Sequence, residues 1–297
     1  MFEEGQLYAP VTRDGDDVTV HLADDHPGFY DDDYRSRRND IAAAAMDWQV
    51  GDPLPVIPYT ESEHEVWQVV AAELAAKHRR LAPGELIESG QRLGLPADHI
   101  PQLVEVNQLL APHTGFRYQP AAGLVPLKEF YGSLADRNFW STQYIRHSSR
   151  PLYTPEPDVI HEVIGHATTL ASPRLAAMYE AAGGAARRCE STEALEFVSK
   201  VFWFSLEFGV LREGGEPKAY GAGLLSSYGE IEEFSNADLR PLDIGAMGTQ
   251  TYDITHYQPV LFCGDSLTHV EDVVGAFFLS VDDDYYERVT QTAATTV

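Results

Sequence analysis

The sequence predicts a mainly α-helical domain with a small β-hairpin or sheet element. Apolar residues recur at helical spacing, as Val66, Val70 and Leu74 do, and this periodicity is typical of an amphipathic helix. The pair Gly214 and Gly215 separates two short strand-like runs, which indicates a β-hairpin turn. Apolar residues make up 44% of the 297-residue chain, enough for a substantial core. We therefore expect one domain of packed helices.

Capping residues, prolines and glycines place the individual elements. Thr60 precedes a long helix, and Pro83 and Gly94 bracket the next. The predicted helices cover residues 35–46, 60–80, 83–93, 101–110, 126–139, 172 onward, 191–211 and 266–277. The predicted strands cover residues 18–22, 210–212, 218–220, 252–254 and 260–263.

The chain is strongly acidic, with 46 Asp and Glu residues against 21 Lys and Arg and a formal net charge of −25. Nucleic acids and anionic membranes bind basic patches, so neither is an expected partner. Cys189 and Cys263 are too few for a disulfide framework, and the sequence has no N-terminal apolar leader and no apolar run of membrane length. We expect a cytoplasmic protein with a soluble or salt-adapted surface.

Residues 153–166 are the strongest candidate for a metal site. They place His161, Glu162 and His166 just after a rigid Pro-Glu-Pro turn. Imidazole and carboxylate groups together suit iron, zinc or manganese. On an ideal α-helix, residues five apart point roughly 140° away from each other. The two rings converge only if the helix ends or bends, and Gly165 is well placed to allow this. The alternative is a pair of buried histidines with backbone partners.

Two further charged side chains are candidates for the same site. Glu207 lies between Leu206 and Phe208 in a predicted helix, and a buried carboxylate is costly unless it is paired or binds a metal. It is a candidate third ligand, with a salt bridge to a nearby arginine as the alternative. Arg146 could hold a carboxylate through two parallel hydrogen bonds, or it could be a surface arginine.

Several longer motifs resemble the pterin-dependent aromatic amino acid hydroxylases, and most of all the phenylalanine hydroxylases. They occur in the family's order from about residue 20 to about residue 285. The resemblance implies that family's catalytic-domain fold, a monooxygenase activity on an aromatic amino acid, and two cofactors, non-heme Fe(II) and tetrahydrobiopterin or a related tetrahydropterin. The motifs are Asp-His-Pro-Gly-Phe at 25–29, Thr-Gly-Phe-Arg at 114–117, Thr-Gln-Tyr-Ile-Arg at 142–146, Tyr-Thr-Pro-Glu-Pro-Asp at 153–158, His-Glu-Val-Ile-Gly-His at 161–166, Trp-Phe-Ser-Leu-Glu-Phe-Gly at 203–209, Tyr-Gly-Ala-Gly-Leu-Leu-Ser-Ser-Tyr-Gly-Glu at 220–230 and Gln-Pro at 258–259.

The resemblance also implies roles for individual residues. The implied iron ligands are His161, His166 and Glu207, and the implied catalytic residues are Glu162 and Glu207. The implied pterin contacts are Gly123, Val125, Leu127, Phe130, Glu162, Phe202 and Tyr252. The implied contacts with the amino acid substrate are Arg146, Thr154, Pro155, Glu156, Trp203, Phe208, Gly223, Ser226, Ser227, Glu230 and Ile254.

Phenylalanine is the expected substrate. Members of the resembled family that act on tryptophan tend to carry Phe at the position of Trp203, and those that act on tyrosine carry Asp at about the position of Ile254. Residues 167–169 read Ala-Thr-Thr where that family has Val-Pro-Leu. Loss of the proline beside a ligand could move hydroxylation from the para to the meta position. Residues 124–127 also depart, with Leu-Val-Pro-Leu in place of Leu-Leu-Ser-Ser in the pterin region.

Other functions stay open at this point. Tryptophan or tyrosine could be the ring that is hydroxylated. A zinc hydrolase is a different class, and the extra residue between His161 and His166 counts against it, because the zinc-hydrolase signature spaces its histidines four apart. A catalytically silent binding protein is the third alternative, and the presence of all three candidate ligands counts against that.

The domain organisation is expected to be simple. Residues 1–24 are predicted to form an N-terminal arm, 25–290 a single catalytic domain and 291–297 a frayed tail. Larger members of the resembled family carry a regulatory domain before the catalytic domain and an oligomerisation coil after it, and neither is expected here. We therefore expect a monomer whose partners are small molecules: the aromatic amino acid, O₂ and the pterin.

Overall fold

Helices make up most of the architecture, as the sequence predicts. The computed structural model describes residues 9–253 and 256–295, with side chains described as far as residue 290. Capping residues define several helix starts. Thr60, for example, accepts a hydrogen bond from the N–H of Glu63, whose carboxylate accepts from the N–H of Thr60. The α-helices are α1 (Asp32–Asp47), α2 (Glu61–Leu81), α3 (Gly84–Leu93), α4 (Leu103–Thr114), α5 (Leu127–Leu134), α6 (Thr168–Leu170), α7 (Pro173–Arg188), α8 (Thr192–Phe202), α9 (Ala222–Ser226), α10 (Glu230–Glu233), α11 (Ile244–Thr249), α12 (Leu267–Val270), α13 (Ala276–Ser280) and α14 (Asp283–Thr295).

Within the described part of the chain, three helical segments have the wider π-turn, in which an N–H bonds to the carbonyl five residues back. The segment π1 (His161–Ala167) runs into α6, π2 (Trp203–Glu207) continues α8, and π3 (Glu271–Gly275) joins α12 to α13. Such turns are rare and often lie at functional sites. The first two contain all three candidate metal ligands.

Among residues 9–253 and 256–295, short strands form three small sheets. In the first, β1 (Val11–Asp14) pairs antiparallel with β2 (Asp17–Val20), and in the second, β3 (Arg117–Pro120) pairs parallel with β4 (Asn138–Ser141). The third contains β5 (Val210–Glu213), β6 (Glu216–Ala219), β7 (Asp238–Pro241) and β8 (Val260–Gly264), in the order β6-β5-β8-β7. Strands β5 and β6 form the predicted hairpin, and Gly214 and Gly215 supply the positive φ angles of its turn. The prediction of a mainly α fold with a small β element is confirmed.

One continuous apolar core joins most of the helices. Among its largest fully buried side chains are Trp67 of α2, Tyr179 of α7 and Phe202 of α8. A separate small cluster joins Val20 of β2 to Ala42 of α1, so this part of the N-terminal arm packs against α1. Over the described ranges, no helix is both long enough and apolar enough to cross a lipid bilayer.

Two helix ends differ from the prediction. The helix expected over 126–139 ends at Leu134, because Arg137 adopts a left-handed φ of 56° that an α-helix does not tolerate, and β4 follows. The helix expected over 191–211 changes from α to π at Trp203 and then gives way to β5.

The C-terminal part also differs. Residues 252 and 253 form no regular strand, and Ile254 lies outside the described residues. The helix expected over 266–277 is present as α12, π3 and α13. Asp282, whose carboxylate accepts from the N–H of Tyr285, starts a further helix, α14, that was not predicted. The tail expected to fray from residue 291 is helical as far as Thr295, and residues 296–297 lie outside the described ranges.

Candidate active site

His161 and His166 face each other within π1. Their Nε2 atoms lie 3.1 Å apart, and the planes of the two rings are inclined by 85°. In a π-turn, residues five apart complete about one turn, so their side chains lie on the same face. The convergence expected from the sequence is therefore present, but the π-turn causes it, rather than a bend at Gly165.

Gly165 instead allows two elements to approach each other closely. A Cβ at this position would lie 2.6 Å from the carbonyl oxygen of Ala222, in the first turn of α9. Glycine thus permits α9 to pack directly on π1. This packing brings the Oγ of Ser226 to 2.9 Å from the Nδ1 of His161.

Glu207, at the end of π2, completes the group. Its Oε1 lies 3.1 Å from the Nε2 of His166, and its Oε2 lies 3.8 Å from the Nε2 of His161. A metal ion with bonds of about 2.1 Å places neighbouring ligand atoms about 3 Å apart. The three side chains therefore fit around one ion and leave its other positions open. Among the described contacts, the partners of Glu207 are the two histidines rather than an arginine.

Burial and mutual charge set the protonation of these ligands. Burial lowers the pKa of His161 to about 4, and His166 acts in the same direction, so this imidazole is neutral near pH 7. Burial also acts to lower the pKa of His166, but the charge of Glu207 outweighs it and raises that pKa. Burial acts against ionisation of Glu207, yet His166 keeps the pKa of this carboxyl below its ordinary value. A metal ligand must be deprotonated, so a bound cation would displace the proton that His166 and Glu207 share.

Glu162 is a second carboxyl group beside the histidines. One of its oxygens and one nitrogen of each histidine lie within 4.8 Å of one another, and its Oε1 accepts a hydrogen bond from Thr142 Oγ1 at 3.2 Å. Burial raises its pKa to about 8, so it carries a proton at neutral pH. Glu207 is the better third ligand because its oxygens are closer to the histidines and it is ionised. Of two neighbouring carboxyl groups, the ionised one can bind a metal while the neutral one carries a proton.

A hydroxyl group contacts the Nδ1 atom of each candidate histidine ligand, on the side of the ring away from the proposed metal. Ser226, itself bonded to Ala222 O, contacts His161 Nδ1, and the Tyr179 hydroxyl lies 3.0 Å from His166 Nδ1. Such contacts fix the ring orientation and leave Nε2 free for a metal. Tyr179 was not predicted as a site residue. It lies on the buried face of α7, where a tyrosine is indistinguishable by sequence from an ordinary core residue.

Arg146 is not a surface arginine. Its Nε and Nη2 form two hydrogen bonds, of 2.8 and 2.9 Å, with the two carboxylate oxygens of Asp158, and both side chains are buried. Asp158 also accepts from the N–H of His161 at 3.3 Å, which links the arginine to the start of π1. Asp158 was missed as a site residue, although it lies in a quoted motif. Contact of Arg146 with a substrate stays a prediction.

Glu156 belongs to a buried ionic cluster. Its carboxylate pairs with Arg38 at 2.8 Å and His26 at 3.4 Å, and it accepts from the N–H of Ala9 at 3.1 Å. Burial acts to raise its pKa, but His26 and Arg38 outweigh this and lower it to about 2. These contacts give Glu156 a structural role, and its contact with a substrate stays a prediction. Thr154, whose Oγ1 donates to Glu156 O, supports the same turn, and Pro155 is exposed.

Three aromatic rings form a stack beside Glu207. Trp203 lies 4.5 Å from Phe208 and 4.2 Å from Tyr252, measured between ring centres, and Tyr252 is nearly parallel to it. Trp203 and Phe208 thus lie together, as expected for a pocket wall. Tyr252, which was assigned to the pterin, stacks on this wall.

The segment that follows the hairpin lies against the same wall. A Cβ at Gly223 would come within 2.8 Å of the Phe208 ring. Ser227 Oγ accepts from the N–H of Glu230, and the Glu230 carboxylate accepts from the N–H of Gln258. Gln258 in turn accepts from the Trp203 indole at 3.3 Å. Gly223 therefore lies against the aromatic wall and Glu230 is linked to it through Gln258, while Ser226 contacts His161 instead. Ile254 lies outside the described residues.

The predicted pterin residues are less tightly grouped. Phe130 is half-buried and packs edge-on against Phe139, whose ring centre lies 4.5 Å from that of His166. Phe202 is fully buried between Tyr131 and Tyr179, so it supports the core. Of the remaining predicted residues, Gly123 lies beside Val11, where an added Cβ would come within 2.9 Å of that side chain. Val125 is half-buried and Leu127 is exposed, and their contact with a pterin stays a prediction.

Comparison with known proteins identifies relatives over nearly the whole chain. A family model described as biopterin-dependent aromatic amino acid hydroxylase matches residues 12–296. Phenylalanine 3-hydroxylase of Streptomyces coeruleorubidus is 52% identical over 259 residues, which cover 87% of this chain and 93% of that protein. Phenylalanine-4-hydroxylase of Rattus norvegicus is 39% identical over 91% of this chain, and tyrosine 3-monooxygenase of Bos taurus is 41% identical over 85%. The matches span 62% and 52% of those two longer proteins.

The fold of this chain is also similar to the solved structures of phenylalanine hydroxylases. Phenylalanine hydroxylase of Chromobacterium violaceum with bound iron(III) and 7,8-dihydrobiopterin matches with a TM-score of 0.70 at 27% identity, covering 76% of this chain and 84% of that one. Phenylalanine hydroxylase of Legionella pneumophila matches with a TM-score of 0.74 at 27% identity, covering 82% and 96%.

Proposed function

Because the chain belongs to the biopterin-dependent aromatic amino acid hydroxylases, we propose that it hydroxylates the ring of L-phenylalanine with Fe(II), a tetrahydropterin and O₂. The convergence of His161, His166 and Glu207 is the observation that carries this proposal. Two imidazoles and one carboxylate on one face of an ion are the donor set of non-heme iron oxygenases. When bound, the iron and the pterin supply the activation of O₂.

The protein's own residues hold and orient these groups. His161, His166 and Glu207 would bind the iron, and the carboxyl group of Glu162, whose pKa burial raises in the metal-free protein, lies close by. His166 is almost fully buried, and Phe139 covers one side of its ring. Exclusion of water from this side strengthens the electrostatic interactions among the ligands.

Arg146 is the proposed partner of the substrate carboxylate. Asp158 holds its guanidinium through Nε and Nη2, and no hydrogen bond to Nη1 is among the described contacts. A rigidly held guanidinium with one free edge can bind a carboxylate without losing further side-chain entropy. Trp203 and Phe208 supply an apolar wall of the kind that an aromatic ring requires.

We further propose that the hydroxyl group enters mainly at the meta position. Two observations support this choice. The relative named phenylalanine 3-hydroxylase is 52% identical, against 39% for the rat phenylalanine-4-hydroxylase. The chain also carries Ala-Thr-Thr at 167–169, directly after His166, where the resemblance described in the sequence analysis leads us to expect Val-Pro-Leu. The monomeric state and the cytoplasmic location stay predictions of the sequence.

The test is reconstitution of the protein with Fe(II) under anaerobic conditions, followed by addition of a tetrahydropterin and one amino acid, and then of air. Phenylalanine, tyrosine and tryptophan are compared in parallel. We expect phenylalanine to be hydroxylated in proportion to the pterin consumed, with little product from the other two. Tyrosine is the competing substrate, because a tyrosine 3-monooxygenase is among the relatives. Preferential formation of dopa, or pterin oxidation without amino acid product, would overturn the choice of phenylalanine.

A further inference from the structure

Hydrogen bonds through Tyr179 and Thr169 join the Nδ1 atom of His166 to its own backbone carbonyl and so form a closed ring. Its Nδ1 lies 3.0 Å from the hydroxyl oxygen of Tyr179, and that hydroxyl lies 3.1 Å from Oγ1 of Thr169. Oγ1 of Thr169 in turn donates to the backbone carbonyl of His166 at 2.9 Å. The three side chains are at most 2% exposed, so water does not compete for these contacts.

The donors and acceptors of this ring can be assigned by counting protons. A carbonyl oxygen only accepts, so the single hydroxyl proton of Thr169 points to His166 O. Thr169 Oγ1 then accepts from the hydroxyl of Tyr179, whose proton is used in that bond. Tyr179 can therefore only accept from His166, which places a proton on Nδ1. When a cation displaces the Nε2 proton that His166 shares with Glu207, the proton on Nδ1 remains, so the Nε2 lone pair is directed at Glu207 and His161.

We infer that Thr169 and Tyr179 are positioning residues that fix His166 in the tautomer required of a metal ligand. The inference rests on the proposed function, because it concerns a ligand of the proposed iron site. Without the hydroxyl of Thr169, the Tyr179 proton has one other described acceptor, Leu206 O, at a marginal 3.5 Å. The Tyr179 hydroxyl would then be free to donate to Nδ1, which moves the imidazole proton to Nε2 and blocks metal binding.

Thr169 is the last residue of the Ala-Thr-Thr segment that follows His166. An apolar side chain at this position would have no atom that could accept from Tyr179. Two neighbouring rings hold Tyr179 in place: Phe116 and Phe202 both pack edge-on against it.

The test measures binding of Co(II) to the metal-free protein by calorimetry and by its visible absorption spectrum. The variants are Tyr179→Phe, Thr169→Val, Thr169→Ser and the double variant Tyr179→Phe/Thr169→Val. Tyr220→Phe is the control, because the hydroxyl of Tyr220 is buried and has no hydrogen-bond partner among the described residues.

We expect Tyr179→Phe to weaken Co(II) binding by about 10-fold or more, the range observed for outer partners of histidine ligands. Thr169→Val should also weaken binding, and Thr169→Ser, which keeps the hydroxyl, should restore it. Because Thr169 acts through Tyr179, the double variant should bind no more weakly than Tyr179→Phe alone. If Thr169 contributed only through packing, the losses of Co(II) affinity in Tyr179→Phe and Thr169→Val would add in the double variant. Thr169→Ser would then not restore the affinity.

The outcomes separate this inference from the proposed function. If the wild-type protein binds no Co(II), the proposed ligand set is wrong, and the inference is overturned with it. If the wild type binds but Tyr179→Phe and Thr169→Val bind equally well, only the inference is overturned. Loss of affinity in Tyr220→Phe would also contradict it, because removal of any buried hydroxyl would then have the same effect.

Discussion

The carboxyl groups of Glu207 and Glu162 both lie beside His166, yet their surroundings give them different charges. Glu207 shares a proton with His166 and is ionised. At Glu162, burial outweighs the opposing charge of His166 and raises the pKa to about 8. Only the first is suited to bind a cation directly.

The variant Glu207→Gln should therefore lose Co(II) and Fe(II) affinity by more than about 100-fold, above the range expected for an outer partner. Glu162→Gln is the matched control, since it replaces a neutral acid by a neutral amide of the same shape, and it should keep most of the affinity. The measurement is a metal titration of the metal-free protein. Equal losses in the two variants would contradict the assignment of Glu207 as the third ligand.

The ionic cluster around Glu156 should make stability sensitive to acid. The pKa of Glu156 is depressed in the folded protein, to about 2 from an ordinary 4.5. Its contribution to the free energy of unfolding is therefore fully present above about pH 4.5 and is lost as the pH falls towards 2. Replacement by Gln would leave Arg38 charged and buried, at a cost of about 3 kcal/mol at pH 7.

Urea denaturation of the wild type and Glu156→Gln at pH 7 and at pH 3 measures this contribution. The difference in stability between the two proteins should be smaller at pH 3. A difference that does not change with pH would show that Glu156 contributes through shape rather than charge.

At the level of secondary structure, two π-turns build the metal site. Segment π1 brings His161 and His166 to one face, and π2 ends at Glu207. The close approach of α9 to Gly165 leaves no room for a side chain at that position. The geometry of the ligands thus depends on the fit between π1 and α9.

The variant Gly165→Ala should be less stable by about 1–3 kcal/mol, because its Cβ would overlap the carbonyl of Ala222. It should also bind metal more weakly, since His161 and Ser226 lie on the two elements that are pushed apart. Gly132→Ala in α5 is the control: its nearest neighbour would lie 4.0 Å away, and it should gain up to about 1 kcal/mol. Urea denaturation and Co(II) titration measure the two effects. An unchanged Gly165→Ala would refute the proposed tight fit.

The sequence predicts the ligands of this site but not the turn that brings them together. His161, His166 and Glu207 could be identified because their residue types and motifs suit a metal. The π-turn could not, because no local composition separates it from an α-turn; packing against α9 is a tertiary effect. Tyr179 and Asp158 were missed for a similar reason, since their partners lie in other elements or across a turn.

At the level of the whole molecule, the net charge of −25 should make stability depend on salt. Repulsion among the excess carboxylates acts against the compact state, and screening by salt relieves it. The melting temperature should rise between 0.05 and 1 M KCl by a few °C, given about 2–4 °C for each kcal/mol in a chain of this size. Choline chloride should act like KCl. A rise with KCl alone would indicate a specific cation site instead of screening.

The helices and the hairpin were predicted more fully than the pairing of distant strands. Helical periodicity and capping residues identified most of the helices, and the glycine pair identified the β5–β6 hairpin. The first two residues of strand β4 were predicted as the end of a helix, because the left-handed conformation of Arg137 has no signal in its residue type. The parallel pairs β3–β4 and β7–β8 join distant segments, which local patterns do not specify.

The most direct measurement is the identity of the hydroxylated amino acid that the Fe(II)-loaded protein forms from L-phenylalanine, with a tetrahydropterin and O₂. Chromatography against authentic standards separates the meta and para isomers. We predict 3-hydroxyphenylalanine as the main product of the wild type and no product from Glu207→Gln. Para-tyrosine as the main product would contradict the proposed meta position. Absence of any hydroxylated phenylalanine while the pterin is consumed would contradict the proposed function itself.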